Sequence, residues 1–294
     1  MDKIKEIFNN SGIGHVNLIE KIEVGFANDV YSIDDKFIFK ISKEKQYSNY
    51  IKKDIHYCKL FENQLPVPKV IKSGELDGKA YFIYKKIKGD NLYDVWHLSN
   101  EIQRESYIKQ ICDILRTINR FPYEDLGISW QDFVYSKMID YIKLFNNKGI
   151  LDEKLTDKLR LYIEINKVKL KDEKIALVDW DLHFDNFLVS DGKIVGRLDF
   201  ERILTASLDY QMVLVKRMVR NPKKYASENA EKFVEVKDYV KLMDWYKKFY
   251  PEMFDFPKIE MRLNLYSILM CFDDIALFGG DEKLKEEIVE YLEF

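Results

Sequence analysis

Three oxygen-bearing side chains crowd one stretch of the chain, Asp181, Asn186 and Asp199, within the segment from Leu177 to Phe200. Two apolar, β-prone runs, Phe187-Leu188-Val189 and Ile194-Val195-Gly196-Arg197-Leu198, flank Asp191-Gly192. An Asp-Gly pair in that setting predicts a hairpin. With those two residues as the turn, Ser190 faces Lys193 and Asn186 faces Arg197. Asp199 is then one diagonal step from Asn186, roughly 7–8 Å away. Asp181 sits on the loop that feeds the first strand. Carboxylate and amide oxygens converging at a hairpin mouth suit a hard cation such as Mg2+ with a bound phosphate. Any one of these residues could simply border a surface hairpin; the three together point to cation chemistry.

The elements that would position such a site lie on both sides of it. From Ile22 to Ile41 the pattern reads strand, turn, strand, turn, strand, with Asp34-Asp35 as the second turn. In the last strand Phe37, Phe39 and Ile41 share one face, and Ile38 and Lys40 the other. A lysine there either snorkels at an edge or points into a cleft toward an anion. From Lys45 to Glu62, Tyr47, Tyr50, Ile51, Cys58 and Phe61 recur at helical spacing, and Asp54 falls on their stripe. An acid on a buried helix face needs a partner. Lys40 is the candidate; the alternative puts Asp54 at the wet margin of the stripe.

Leu65-Pro66-Val67-Pro68 ends that helix. Strands over Lys69–Gly74 and Ala80–Lys85 follow, turning at Asp77-Gly78. The pattern then breaks at Lys86-Ile87-Lys88-Gly89-Asp90-Asn91, which marks a boundary between an N-terminal lobe, 1–88, and a C-terminal lobe, 89–294. Beyond it the periodicity is mostly helical, with helices expected at 101–120, 132–146, 152–169, 208–220, 230–250, 259–278 and 281–292. The stripe Tyr239, Leu242, Trp245, Tyr246 and Phe249 reads as core. The expected fold class is α+β: a small antiparallel β lobe with one helix, then a larger helical lobe bearing the hairpin. A nucleotide held between the two is the implied ligand.

Composition removes several other classes. The 294 residues are 47% hydrophobic and 33% charged, which describes a globular chain rather than a disordered one. A net charge of −3 provides no basic field for nucleic acid. No apolar run approaches the roughly 18–20 residues that span a bilayer. Met1-Asp2-Lys3-Ile4-Lys5-Glu6 lacks a signal-peptide pattern, and Cys58, Cys112 and Cys271 are scattered. A cytoplasmic monomer with reduced cysteines is expected.

These residues resemble the aminoglycoside phosphotransferase and choline kinase superfamily, the small-molecule branch of the protein-kinase-like fold. The resemblance covers roughly residues 22 to 215. The segment Asp179-Trp180-Asp181-Leu182-His183-Phe184-Asp185-Asn186 resembles the family's catalytic loop, and Leu198-Asp199-Phe200-Glu201 its Ile-Asp-Phe/Trp-Glu. The resemblance implies Asp181 as the catalytic aspartate that orients the acceptor hydroxyl and takes its proton. It implies Asn186 and Asp199 as Mg2+ ligands, and Lys40 on the α- and β-phosphates with Asp54 as its helix acid. Val24-Gly25-Phe26-Ala27-Asn28-Asp29-Val30-Tyr31 resembles the phosphate loop, with Gly25 and Asn28 in it. Tyr84-Lys85-Lys86-Ile87-Lys88-Gly89 resembles the lobe connector, where the backbone of Lys85 and Ile87 would bind the base and the bulk of Tyr84 would limit pocket depth. The donor is ATP or GTP.

The chain departs from the family pattern at four places. Asp179 and Trp180 stand for His and Gly, Asp54 for Glu, Asn119 for the His of a Leu-His pair, and Ala206-Ser207-Leu208 for Gly-Asp-Pro. The implied reaction is γ-phosphate transfer to a hydroxyl of a small molecule, foremost an aminoglycoside. A polycationic acceptor needs an acidic site, for which Glu201, Asp273 and Asp274 are candidates. His183 on the loop could reach phosphate or metal. The alternatives are a kinase for choline, a sugar or an amino alcohol, and a nucleotide-binding pseudokinase.

Overall fold

The computed structural model describes residues 2–22, 27–171, 173–226, 228–280 and 282–293. Glu23, the residues Val24, Gly25 and Phe26 assigned above to the phosphate loop, and Asp281, expected to open the last helix, lie outside the described residues. In chain order the elements are α1 (Asp2–Asn9), β1 (Ile19–Ile22), β2 (Asn28–Ile33), β3 (Phe37–Ser42), α2 (Ser48–Phe61), β4 (Val70–Leu76), β5 (Lys79–Lys85), β6 (Asp90–Asn91), α3 (Leu92–Trp96) and α4 (Glu101–Ile118). Then come α5 (Trp130–Asn147), α6 (Glu153–Asn166), β7 (Ile175–Asp179), β8 (Phe187–Ser190), β9 (Lys193–Arg197) and β10 (Ile203–Ser207). The chain closes with α7 (Met212–Arg220), α8 (Glu228–Glu231), α9 (Leu242–Phe249), α10 (Ile259–Phe278) and α11 (Glu282–Leu292). The α+β class is observed.

Two compact units result: residues 1–98 with 184–202, and residues 99–183 with 203–294. The β8–β9 hairpin, expected with the helical part, groups with the strand-rich unit. The reason is visible in the connector, where β6 pairs antiparallel with β8 through Asp90↔Val189 and Asn91↔Leu188.

In the strand-rich unit the sheet order is β1-β2-β3-β5-β4, antiparallel throughout. The alternation in β3 divides its side chains as its pattern predicts. Phe39 and Ile41 join Ile4, Phe8, Val16, Ile33, Tyr81 and Ile83 on the face covered by α1. Ile38 lies on the opposite face with Ile51 of α2, Ala80, Phe82 and Tyr84. Lys40 shares that second face, opposite Val30 in β2 and Phe82 in β5. The stripe on α2 is buried as expected at Ile51, Asp54, Cys58 and Phe61.

Two Asp-Gly turns close their hairpins with both residues at positive φ: Asp77 at 54° and Gly78 at 76°, Asp191 at 49° and Gly192 at 73°. This is the primed turn that matches strand twist. Ser190 faces Lys193 as expected, but one register detail differs. A bulge follows Leu188, so that Leu188 pairs with Gly196 and Phe187 with Arg197. Asn186 therefore faces Leu198 rather than Arg197, its carbonyl accepting from Leu198 N at 2.8 Å. The extra residue advances Asp199 by one position toward Asn186.

In the helical unit β7 and β10 form an antiparallel ribbon in which Ile203 pairs with Asp179. The single helix expected over 230–250 is broken into α8 and α9, with a 3-10 turn at Val236–Asp238 between them. That turn places Asp238 against Arg104 of α4, a part-buried pair at 2.5 Å. Similarly α7 begins at Met212 rather than 208, because Asp209 is held in a buried pair with Arg262 at 2.5 Å. Tyr239, Leu242, Trp245 and Tyr246 are buried as core.

Gly89 marks where the connector leans on the hairpin. A Cβ there would lie 2.9 Å from Val195 Cγ2 and 3.0 Å from the Val189 carbonyl oxygen. Backbone cannot yield as a flexible side chain can, so Gly89→Ala is expected to destabilise the chain by about 1–3 kcal/mol. Urea unfolding checks this, and an unchanged midpoint contradicts the packing described.

Candidate nucleotide and metal site

The strand-rich unit brings two of the singled-out acids onto one ammonium group, that of Lys40. Lys40 Nζ lies 2.8 Å from Asp54 Oδ2 and 2.9 Å from Asp199 Oδ1. Asp54 is thus paired on the buried helix face, not at its margin. Its other oxygen accepts from the Phe200 backbone N–H at 3.1 Å, and Cys58 Sγ donates to the same atom at 3.6 Å. One carboxylate therefore joins α2, β3 and the segment after the hairpin. The shorter aspartate reaches Lys40 directly.

Burial opposes charge on Lys40, but the carboxylates of Asp199 and Asp54 and their hydrogen bonds outweigh it, holding its pKa well above the ordinary lysine value. Lys40 is a fixed cation. The two acids differ in access: the Asp54 side chain is 3% exposed and that of Asp199 34%. Asp199 is the one an incoming group can reach.

The backbone at Asp199 carries the clearest local strain of the site, with φ at 67°. A non-glycine residue pays about 1–3 kcal/mol for such a conformation, and such outliers cluster at functional sites. Arg197 helps hold it in place. This guanidinium, fully buried, lies between the rings of Phe187 and Phe200 at 5.0 and 5.1 Å, donating to the Leu198 carbonyl and, at 3.4 Å, to that of Asp199. Sequence reasoning did not single out Arg197 as part of the site. The available signal was an arginine two residues before the candidate metal ligand, in a run from Ile194 to Leu198 that is otherwise without charge.

Asn28 opens β2, 6% exposed, with Nδ2 donating to Glu201 Oε2 at 3.3 Å and Oδ1 buried without a hydrogen-bond partner among the described residues. Burial, and next the charge of Asp199, push Glu201 up to about 7. Tyr84 is buried against Phe82, the rings stacked at 5.3 Å, and burial raises its hydroxyl pKa. The strand ladder ends at Lys85, opposite Phe37. Ile87, half-buried, lies between β5 and β6, with its backbone outside both ladders.

Among the described residues there is no cluster of three or more His, Cys, Asp or Glu side chains able to hold a metal by itself. The candidate donor set is one carboxylate, Asp199, and one amide, Asn186, on a bulged hairpin. That set fits a hard cation that completes its shell with phosphate oxygens and water, as Mg2+ does, and does not fit a cation caged by protein alone.

The helical unit carries Asp181 on the loop that leaves β7, five residues before Asn186 in the chain. The start of this loop is held by several contacts. Asp179 is buried and pinned in the β7–β10 ladder. Trp180 sets its ring edge-on to Tyr210 at 6.0 Å. Asn119, at the end of α4, donates to the Leu177 carbonyl at 2.7 Å and to Gln211 at 3.1 Å, and accepts from the Tyr250 hydroxyl at 3.0 Å. His183 lies 6.4 Å from the ring of Tyr225.

Asp273 and Asp274 have internal partners. Asp273 pairs with Lys137 at 3.0 Å and accepts from the Tyr141 hydroxyl at 2.5 Å. Asp274 pairs at 3.0 Å with Arg217, whose buried guanidinium also binds Glu287 at 2.8 Å. Neither offers an uncommitted carboxylate.

No curated protein matches the chain. Solved structures do. The GDP and kanamycin complex of an APH(2″) enzyme is 17% identical, with a TM-score of 0.70 over 99% of this chain and 97% of that one. The gentamicin complex of APH(2″)-IIa is 15% identical, with a TM-score of 0.71 over 100% and 95%. A thermostable mutant of the aminoglycoside phosphotransferase APH(4)-Ia, in a ternary complex with AMP-PNP and hygromycin B, is 13% identical, with a TM-score of 0.71 over 100% and 98%. These likenesses show the protein-kinase-like fold. The family model described as phosphotransferase enzyme family, APH, matches residues 18–213, two-thirds of the sequence. The chain belongs to that phosphotransferase family.

Proposed function

We propose that the chain transfers the γ-phosphate of ATP or GTP to a hydroxyl of a small molecule, with an aminoglycoside as the leading acceptor, acting as a cytoplasmic monomer. The observation that carries this reading is Lys40 bonded at once to buried Asp54 and accessible Asp199. Such a cation is built to hold phosphate oxygens, and Asp199 to hold a metal beside them. The ligands of structurally similar enzymes, GDP with kanamycin and AMP-PNP with hygromycin B, support both the donor and acceptor classes.

In this reading Asp54 keeps Lys40 charged and aimed, and Lys40 holds the α- and β-phosphates. Asn28, at the start of β2, meets the phosphates, and its Oδ1, without a hydrogen-bond partner among the described residues, has hydrogen-bonding capacity to spare. The backbone of Lys85 and Ile87 receives the base, with Tyr84 limiting its depth. Asn186 and Asp199 hold Mg2+, which neutralises phosphate charge when bound. Asp181 orients the acceptor hydroxyl and takes its proton as the oxygen bonds to the γ-phosphorus and the β–γ bridging oxygen departs with ADP or GDP. Most of the catalysis is positioning and charge neutralisation.

One observation favours a second acceptor class. Glu201 is tied to Asn28, and Asp273 and Asp274 to internal cations, which leaves less acidity for a polycation. Choline, a sugar or an amino alcohol, with at most one positive charge, makes a smaller demand.

The test is a mass-spectrometric screen for phosphorylated products with both nucleotides against aminoglycosides and small alcohols. A product is expected, with Asp181→Ala lowering its rate by about 10²–10⁴-fold while nucleotide affinity stays near wild type. Tight nucleotide binding with no product from any acceptor would instead identify a pseudokinase. Separately, Asp199→Asn is expected to abolish the Mg2+-dependent part of nucleotide affinity in calorimetry; unchanged Mg2+ dependence sinks the metal assignment.

A further inference from the structure

Asn91 stands where the connector meets the hairpin, and its side-chain amide has two separate roles. Oδ1 accepts from Tyr93 N at 2.9 Å, capping α3. Nδ2 donates to the Asp185 carbonyl at 3.1 Å. That carbonyl belongs to the peptide bond entering Asn186. On the far side, the carbonyl of Asn186 itself accepts from Leu198 N at 2.8 Å. Both peptide planes flanking Asn186 are therefore held by hydrogen bonds, and these planes decide the direction in which its side chain leaves the backbone.

Neighbouring contacts give this link a rigid base. Asn91 is in register with Leu188 through the β6–β8 pairing. The Phe184 ring, two residues before Asn186, packs against Tyr93 at 5.2 Å and Trp96 at 4.5 Å. Gly89 brings the connector backbone so near that a Cβ would lie 3.0 Å from the Val189 carbonyl. The segment from Gly89 to Trp96 and the mouth of the hairpin form one packed piece.

We propose that Asn91 is a positioning residue for the metal: through the Asp185 carbonyl it sets the orientation of the Asn186 amide toward the cation. The inference rests on Asn186 and Asp199 being the cation ligands. Outer groups that orient a ligand typically account for about 10–100-fold in metal affinity. Asparagine is suited to both roles at once, since its amide carries an acceptor for Tyr93 and a donor for Asp185. Aspartate and serine both retain the capping acceptor. Aspartate has no donor for the carbonyl, and the single oxygen of serine cannot occupy both places.

The experiment is calorimetric titration with ADP and GDP, with and without Mg2+, on the wild type, Asn91→Asp and Asn91→Ser, alongside thermal unfolding. Both variants are expected to unfold near the wild-type temperature and to bind nucleotide without Mg2+ as the wild type does. The gain in affinity on adding Mg2+ is expected to fall about tenfold in each. Full retention of that gain in both, while the wild type shows it, overturns this inference alone. A loss in Asn91→Asp with none in Asn91→Ser assigns the effect to added charge and overturns it as well. An equal loss with and without Mg2+ makes Asn91 structural only and also overturns it. A wild type with no Mg2+-dependent gain removes the cation site and the inference together.

Discussion

The shared salt bridge of Lys40 organises the strand-rich unit. One ammonium pairs with a carboxylate from α2 and a carboxylate from the turn after β9, so sheet, helix and hairpin meet at a single cation. Leaving such a charge buried and unpaired costs several kcal/mol, and Asp54 is its fully buried partner. Asp54 then does a second job, accepting from Phe200 N, which fixes the chain immediately after Asp199. Arg197 grips the backbone just before it. The strained φ of Asp199 persists because the residues around it leave no alternative.

The trio of Lys40, Asp54 and Asp199 carries one excess negative charge, at the residue that is exposed enough to be reached. Under the proposed function a divalent cation would sit against Asp199 and phosphate oxygens against Lys40, so that each charged group would have a counter-charge beside it. The helical unit contributes a different kind of stability. Its loop is anchored by a β ribbon, an aromatic contact and the amides of Asn119 and Gln211, a set of neutral hydrogen bonds and rings.

Much of this was legible in the sequence wherever period and pairing rules act locally. The alternation in β3 put Lys40 opposite the α1 core, and the α2 stripe put an acid where a partner was required, so the pair could be named from burial cost alone. Turns at Asp77-Gly78 and Asp191-Gly192 were readable because both need positive φ. The bulge after Leu188 was not, since it depends on how the hairpin packs against the connector, and it moved Asn186 opposite Leu198. Nor was the break between α8 and α9: helical spacing continues through Ala230–Tyr250, but the part-buried pair of Asp238 with Arg104, 134 residues away, overrides it. Asp273 and Asp274 looked available for the same reason, their partners Lys137 and Arg217 being distant in the chain.

The account stands or falls on what Lys40 and Asp199 do when a nucleotide arrives. A crystal structure with Mg2+ and a non-hydrolysable GTP or ATP analogue tests this directly. The predicted result has the cation about 2.0–2.1 Å from oxygens of Asp199 and Asn186, with Lys40 still bonded to Asp54 and its remaining donors on phosphate oxygens. A nucleotide bound elsewhere, or one bound while Lys40 still bridges both carboxylates and the cation rests on other residues, would contradict it.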